Sequence, residues 1–320
     1  MGRGGRILIR ALALAGAVLV LGGLPQPADT KLWLTVYDAG HAPLFGFVAL
    51  VLLSLIRIVR PGRAGLQPYL FAFLIAMALG GVAELVQFFG MRDADPGDLL
   101  RNGAGAASFL TLARVMEKGE DGRAVVGSGL LRIGAGVLAG ALFLAVFIPV
   151  GARIIDYRGR DASFPVLCEL ESRWDRTFVK PVSSGLQPET LPPEMGEAPG
   201  RRVGRWVLYS RPYPGLALEE PFPDWSGHKE LRFTIWSDQD RPVEMTLMAE
   251  DLRHRPGTGD RARVRFRVEP GRNRIRIPLE EIRLAPPNRS LEMDQVAMLM
   301  LYTRRPEEPF TLWIDSIRLE

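Results

Sequence analysis

The sequence predicts an α-helical membrane bundle of about five transmembrane helices followed by an all-β sandwich. Three observations predict it. Long apolar runs recur through the first half, period-two alternation replaces them after about Arg153, and proline and charge rise over the same boundary. An apolar helix needs ~20 residues to cross a ~30 Å hydrocarbon layer, whereas strict alternation marks a half-buried antiparallel strand. The 47% apolar content therefore averages two unlike halves, and 320 residues suit two domains. The expected division is a membrane domain over 1–152, a juxtamembrane linker over 153–163 and a sandwich over 164–320.

Forty Lys and Arg against 36 Asp and Glu give a net charge of +4, with the basic residues scattered. No basic stripe interleaved with aromatics is present, which argues against a nucleic-acid partner. The single cysteine, Cys168, cannot form an internal disulfide and is expected as a small core residue.

The first span is Ile7 to Leu24, behind Arg3 and Arg6. A basic flank before an apolar run also describes a signal peptide, but the stretch around Pro25, Pro27 and Ala28 is a poor cleavage site, so a retained anchor is preferred. The second span runs from about Pro43 to Val59 and the third from Tyr69 to Phe89, joined by a loop carrying Arg57, Arg60 and Arg63. That basic loop is expected in the cytoplasm. Leu99 to Met116 is poor in large apolar residues and rich in Gly, Ala and Ser, which suits a span enclosed by other helices. The last, Leu130 to Ile148, contains Gly136 and Gly140 at a spacing that lets two helix backbones approach. Five spans put the C-terminal domain outside. Four would put it in the cytoplasm, an alternative that Arg153, Arg158 and Arg160 mildly favour.

With five spans the ionisable residues sort by level. Arginines mark the inner side, while Asp38, His41, Glu84, Gln87, Arg92, Asp95, Asp98 and Asn102 come from four stretches and meet at the outer one. Glu84 and Gln87, three apart, share a helix face. A carboxylate one turn inside a span is costly unless paired, protonated or facing a wet cavity, and Arg92 or His41 is its expected partner. Glu84 is thus a candidate functional acid, or one half of a structural ion pair.

The run DAGHAPLFGFVALVLL (Asp38 to Leu53), followed by ELVQFFGMRDADPGDLLRNGAGAASF (Glu84 to Phe109), resembles the VanZ-like family of bacterial membrane proteins. The resemblance lies in an Asp and His before one span, E-x-x-Q near the end of the next, and then Arg, Asp and D-x-x-x-N-x-x-G. Glu84, Gln87, Arg92, Asp95, Asp98, Asn102 and Gly105 fill the second part in order. The first part departs, with Ala39 where a Lys commonly follows the Asp and an Asp-to-His spacing one residue short. Over roughly residues 1 to 150 the resemblance implies a multi-pass protein of the bacterial inner membrane, and the five-span count makes the C-terminal domain extracytoplasmic. It does not by itself imply the teicoplanin resistance associated with VanZ.

A His, several carboxylates and an Arg at an interface suit a phosphate-bearing lipid head group, a divalent cation or proton movement. The planar fork of Arg favours phosphate. No H-E-x-x-H or comparable ligand spacing is present, so no metal or cofactor is expected and a divalent cation is the lesser alternative. The absence of G-x-S-x-G, a P-loop or a Cys-His pair removes the usual hydrolase and nucleotide-binding readings.

In the second half, Phe164 to Trp174 is expected as a first strand and the proline-dense passage Pro181 to Gly200 as a loop. Further strands follow in RWVLYS, LALEE, Glu230–Ser237, Val243–Asp251, Ala262–Glu269, Asn273–Leu279, Gln295–Tyr302 and Thr311–Leu319. The order DWSGHKELRFTIWS, EPGRNRIRIPLEEI, MDQVAMLMLY and LWIDSIRLE resembles the galactose-binding-like jelly rolls found as carbohydrate-binding modules. That resemblance implies loops or aromatics meeting a glycan. Trp206, Tyr209, Tyr213 and Trp225 are the candidates for sugar stacking, Trp225 being equally readable as a structural plug. Trp236 and Tyr302 are expected in the core, and the resemblance makes Asp315 a structural aspartate.

Two functions stay open, with a transporter the least expected. The first is a binding or accessory role toward the bilayer and a lipid-linked glycan precursor or envelope polysaccharide, with the sandwich binding glycan or another protein. The second is an enzyme acting on a phosphorylated lipid carrier at the outer leaflet through Glu84, His41, Arg92 and Asp98.

Overall fold

The structure is a computed structural model that describes the chain except residues 1, 24–29, 62–64, 90–94, 120–123, 171, 173, 196–199, 201 and 256–258. It divides into two compact units, Met1–Ile154 and Ile155–Glu320.

The first unit is helical: α1 Arg3–Gly23, α2 Lys31–Val59, α3 Gln67–Phe89, α4 Pro96–Met116 and α5 Gly129–Ala145. α6, Ile148–Ser163, holds the residues expected as a linker, which are helical instead. α2 begins well before Pro43 because Thr30 caps it, its hydroxyl accepting from the Trp33 N–H at 3.3 Å. Asp38 and His41 therefore lie on the helix and not in a loop before it, and Pro43 is interior. α4 starts on a cap as well: Asp95 accepts from the Gly97 N–H at 2.8 Å, with Pro96 at the first helical position.

Among the described residues two helices are long and apolar enough to cross a membrane, α2 and α3 up to Leu85. The count is three if α5 and α6, separated by a short break, form one bent span. α4 is not among them. Its buried residues include Asp98, Asn102, Gly105 and Ala106, so the stripe that repeats every three to four residues is made of small and polar side chains. That stripe packs on α2 so closely that a Cβ on Gly105 would lie 1.9 Å from the Ala42 carbonyl oxygen. The apolar core beside it joins Phe45, Val48, Ala49 and Leu52 of α2 to Tyr69, Ala72 and Ala76 of α3 and Ala106 and Leu110 of α4.

Gly136 and Gly140 do not mediate a close approach: a Cβ on either would meet nothing within 4 Å. α5 instead buries Ala139 and sets Phe143 against Phe109 of α4, ring centroids 5.5 Å apart.

The second unit is a two-layer antiparallel sandwich. Its strands are β1 Val166–Cys168, β2 Val179–Val182, β3 Ser184–Thr190, β4 Arg202–Leu208, β5 Gly215–Glu219 and β6 Glu230–Ser237, then β7 Val243–Asp251, β8 Ala262–Val268, β9 Gly271–Pro278, β10 Val296–Tyr302, β11 Phe310–Ile314 and β12 Ile317–Leu319. Two short helices, α7 Asp175–Phe178 and α8 Leu279–Leu284, interrupt them. One sheet runs β1-β12-β6-β11-β4-β3 with β9 also on β6, and the other β2-β5-β10-β7-β8. Alternate residues of both meet in one core, with Trp206, Leu231, Ile235 and Leu312 facing Leu218, Leu247, Val264 and Leu299.

The proline-dense passage is not all loop, since β2 overlaps its start and all of β3 falls within it. Both are edge strands, where a residue without an N–H removes no ladder bond on the open side, so Pro181 and Pro188 are accommodated. β1 is shorter than expected and is followed by Leu170 at φ +64°, which ends the extended run. The final expected strand is two, broken at Asp315 and Ser316, where the Asp315 carboxylate accepts from the Ser316 N–H at 2.8 Å.

Candidate functional site

Three helices bring the predicted polar residues of the first unit together. α2 supplies Asp38 and His41, α3 supplies Glu84, and α4 supplies Asp98, Arg101 and Asn102. His41 Nδ1 lies 3.1 Å from Asn102 Oδ1, and His41 Nε2 lies 3.7 Å from Asp98 Oδ2. One ligand atom from each of His41, Glu84 and Asp98 falls within 4.8 Å of the others. Glu84 Oε2 is buried and, among the described residues, has no hydrogen-bond partner.

Arg101 organises the acidic side. It bonds Asp95 at 3.0 Å and Asp98 at 2.5 Å, and approaches Asp38 at 3.8 Å. The Gly97 N–H and then Arg101 hold the Asp95 carboxyl below the usual carboxylate range. Asp38, Glu84, Asp95 and Asp98 outnumber the one guanidinium, so among the described residues the cluster is net acidic. One imidazole nitrogen and two carboxylates make a donor set able to coordinate a divalent cation.

Arg101 is the residue that sequence reasoning missed. Its signal was present in DADPGDLLRN: on a helix capped by Asp95, a residue three after Asp98 points back over the same turn. Arg92 lies outside the described residues, and so does the side chain of Gln87.

A second polar layer closes the other end of these helices. Arg57 of α2 donates to the Tyr69 hydroxyl of α3 at 2.9 Å and to Glu117 at 2.5 Å. Glu117, which caps α4, also bonds Arg114 and the Tyr69 hydroxyl. Burial works against its charge, but Arg114, Tyr69 and Arg57 hold the carboxyl low.

In the sandwich, Trp206 and Trp225 are fully buried and cannot stack on a ligand. Trp225 is the plug, its indole N–H donating to the Phe222 carbonyl at 2.7 Å. Tyr209 and Tyr213 are exposed, by 43% and 58%. Tyr302, expected in the core, is on the outer face of the five-stranded sheet, edge-on to Tyr213 with centroids 5.7 Å apart. The two rings stand beside a groove of ≈ 650 Å³. Its floor follows from the register: one row reads Ala217, Met300, Met248 and Arg263, the next Gly215, Tyr302, Thr246 and Arg265. Cys168 is wholly buried, as expected, and burial pushes its thiol pKa well up.

No family model and no curated protein matches the chain. Among solved structures it is similar to an exo-β-agarase at 18% identity and TM-score 0.40, over 48% of this chain and 25% of that one. It is also similar to the family 11 carbohydrate-binding module from Clostridium thermocellum, in complex with a β-1,3-1,4-mixed-linked tetrasaccharide, at 15% identity and TM-score 0.36, over 48% and 93%. A module specific for non-crystalline cellulose matches at 14% identity and TM-score 0.34, over 49% and 94%. The chain thus spans about a quarter of the agarase's length.

Proposed function

We propose that the helical unit is a VanZ-like membrane enzyme acting on a phosphorylated lipid carrier. The observation that carries this is the convergence of His41, Glu84 and Asp98 from three helices, with Glu84 Oε2 buried and, among the described residues, unpartnered. A carboxylate oxygen left without a partner in a low-dielectric layer is expensive, and a site that takes up a proton or a cation relieves it. In this reading Glu84 takes a proton from the attacking water as the bond to the departing polyprenyl phosphate breaks, Asp98 and Asn102 fix the orientation of His41, and Arg101 faces the phosphate. A divalent cation held by His41, Glu84 and Asp98 would supply charge neutralisation, letting a net acidic cluster receive an anionic head group.

We also infer the five-span arrangement, with α1, α4 and the α5–α6 segment joining the two apolar helices. Support comes from the two polar layers. His41 and Arg57, Glu84 and Tyr69, and Asp98 and Arg114 are each separated by 15 or 16 residues of helix, or ~22–24 Å, which spans most of a ~30 Å hydrocarbon layer. The arginine layer then faces the cytoplasm, and the Glu84 layer and the sandwich, read as a galactose-binding-like jelly roll, lie outside in the bacterial inner membrane. In that setting the sandwich holds an envelope glycan, a role favoured by the groove beside Tyr213 and Tyr302.

The test is phosphate release from a long-chain polyprenyl diphosphate by the detergent-purified full chain. Glu84→Gln should abolish turnover while the protein accumulates and melts as the wild type does, and chelation should abolish it reversibly if the cation is resident. Wild-type turnover by Glu84→Gln refutes the assignment, and loss of the folded protein instead returns Glu84 to a structural role.

A further inference from the structure

The groove on the five-stranded sheet has a chemical character that aromatic rings alone do not give it. Arg263 and Arg265 of β8 project from the exposed face of that strand, and Arg304 follows β10. The register decides their surroundings. Arg261 pairs with Glu250, and Arg267 with Glu244 and Glu269. Arg263 and Arg265, between them, stand opposite Met248 and Thr246, which offer no carboxylate. Among the described residues Arg263, Arg265 and Arg304 have neither an ion pair nor a hydrogen bond, so three guanidinium groups without counter-charge line one groove.

The apolar side of the groove is held with equal specificity. Tyr213 sits at φ +52°, a backbone conformation that a bulky residue adopts only when its surroundings impose it. Gly215 opens the floor beneath Tyr302, since a Cβ there would lie 2.5 Å from the Leu301 carbonyl oxygen and 2.7 Å from the Tyr302 Cβ. An exposed aromatic ring, a flat floor of Met300 and Met248, and unpaired guanidinium forks two residues apart, ~7 Å along a strand, match a ligand with rings and repeated acid groups. A neutral glycan would leave the guanidinium charges facing one another.

We propose that this groove binds an acidic polysaccharide, its sugar ring against Tyr213 and Tyr302 and its acid groups on Arg263, Arg265 and Arg304. The proposal rests on the glycan-binding reading of the sandwich and gives it a ligand class. Carboxylate and phosphodiester groups share the chemistry that an arginine fork recognises, so both belong in the test.

The experiment uses the detergent-purified full chain and measures binding to polygalacturonate, to its fully methyl-esterified form and to a capsular polysaccharide whose sugar repeats are joined by phosphodiesters. At least one acidic polymer should bind, the esterified one about tenfold more weakly than polygalacturonate if the carboxylate is the recognised group. Arg263→Gln with Arg265→Gln should weaken the acidic polymer about tenfold, and Tyr213→Ala several-fold. The control is Arg274→Gln with Arg276→Gln, which removes the same charge from the other sheet and should leave affinity unchanged. An equal loss in that control means diffuse attraction to a basic domain and overturns the proposal. Binding of the esterified polymer at full strength, indifferent to the groove substitutions, overturns it too while leaving the glycan reading standing. If no polymer binds, both fall.

Discussion

Replacing Gly105 with alanine tests the helical unit at its tightest point. The added Cβ would lie 1.9 Å from the Ala42 carbonyl oxygen and 2.6 Å from its carbon, whereas ordinary contacts begin at 3.4 Å. The obstruction is backbone on both helices, so no rotamer change relieves it and α2 and α4 must part by about 1.5 Å. Overpacking of this kind costs ~1–3 kcal/mol. The separation also breaks the 3.1 Å contact between His41 and Asn102, worth another ~1 kcal/mol. Alanine returns up to ~1 kcal/mol through helix propensity, leaving a net loss of about 1–3 kcal/mol. For a unit of this size that lowers the melting temperature by roughly 2–12 °C, read by far-UV circular dichroism of the full chain in detergent. Gly103→Ala is the internal reference: its Cβ meets only Met77, at 3.5 Å, so it should melt at or slightly above the wild type. If Gly105→Ala melts with the wild type, or Gly103→Ala falls as far, the close approach of α2 and α4 is wrong.

The sandwich offers its own tests, followed by tryptophan fluorescence because every tryptophan except Trp33 lies there. Asp251, whose side chain is fully buried, accepts from Arg289 at 2.7 Å and from the Glu292 N–H at 2.9 Å. Arg289→Ala leaves that charge unpaired and should cost ~3 kcal/mol. Burial pushes the Asp251 carboxyl up, but Arg289 and the backbone N–H groups outweigh it and hold it below the usual value. A depressed carboxyl stabilises the fold above its unfolded pKa of ~4 and loses that effect as pH falls, so the gap between wild type and variant should narrow below pH ~4. A gap that widens in acid would contradict the pairing. Trp225→Ala empties a fully buried site and should cost ~3–5 kcal/mol, whereas Tyr213→Ala, at an exposed ring, should leave the melting temperature almost unchanged.

What the sequence revealed followed from how local each signal is. Alternation in ARVRFRV and NRIRI located β8 and β9 almost to the residue, because a strand's inside and outside are written in its own side chains. Asp98 and Asn102 were legible as site candidates, but the face of α4 that they share with Gly105 was not, because the helix starts at Pro96, ahead of the span expected from Leu99. Arg101 was passed over in favour of Arg92 because a pair three residues apart is informative only once the helix start is known, and Asp95 and Pro96 set it earlier than expected. Proline density hid β2 and β3, since edge position is a property of sheet order and not of the strand itself. Trp206 and Tyr302 exchanged their expected places for the same reason: each lies in an alternating strand, and only pairing with neighbours decides which parity faces inward.

The strands at the margins of the two sheets set how crowded such a domain can be on a surface. β2 carries Pro181 beside Lys180, β3 carries Pro188, β1 is three residues long, and β8 bears arginines at every second position. Each device denies a neighbouring copy the continuous ladder of free N–H and C=O groups it would need to add a strand. Many copies side by side would therefore remain separate molecules, joined by no shared sheet.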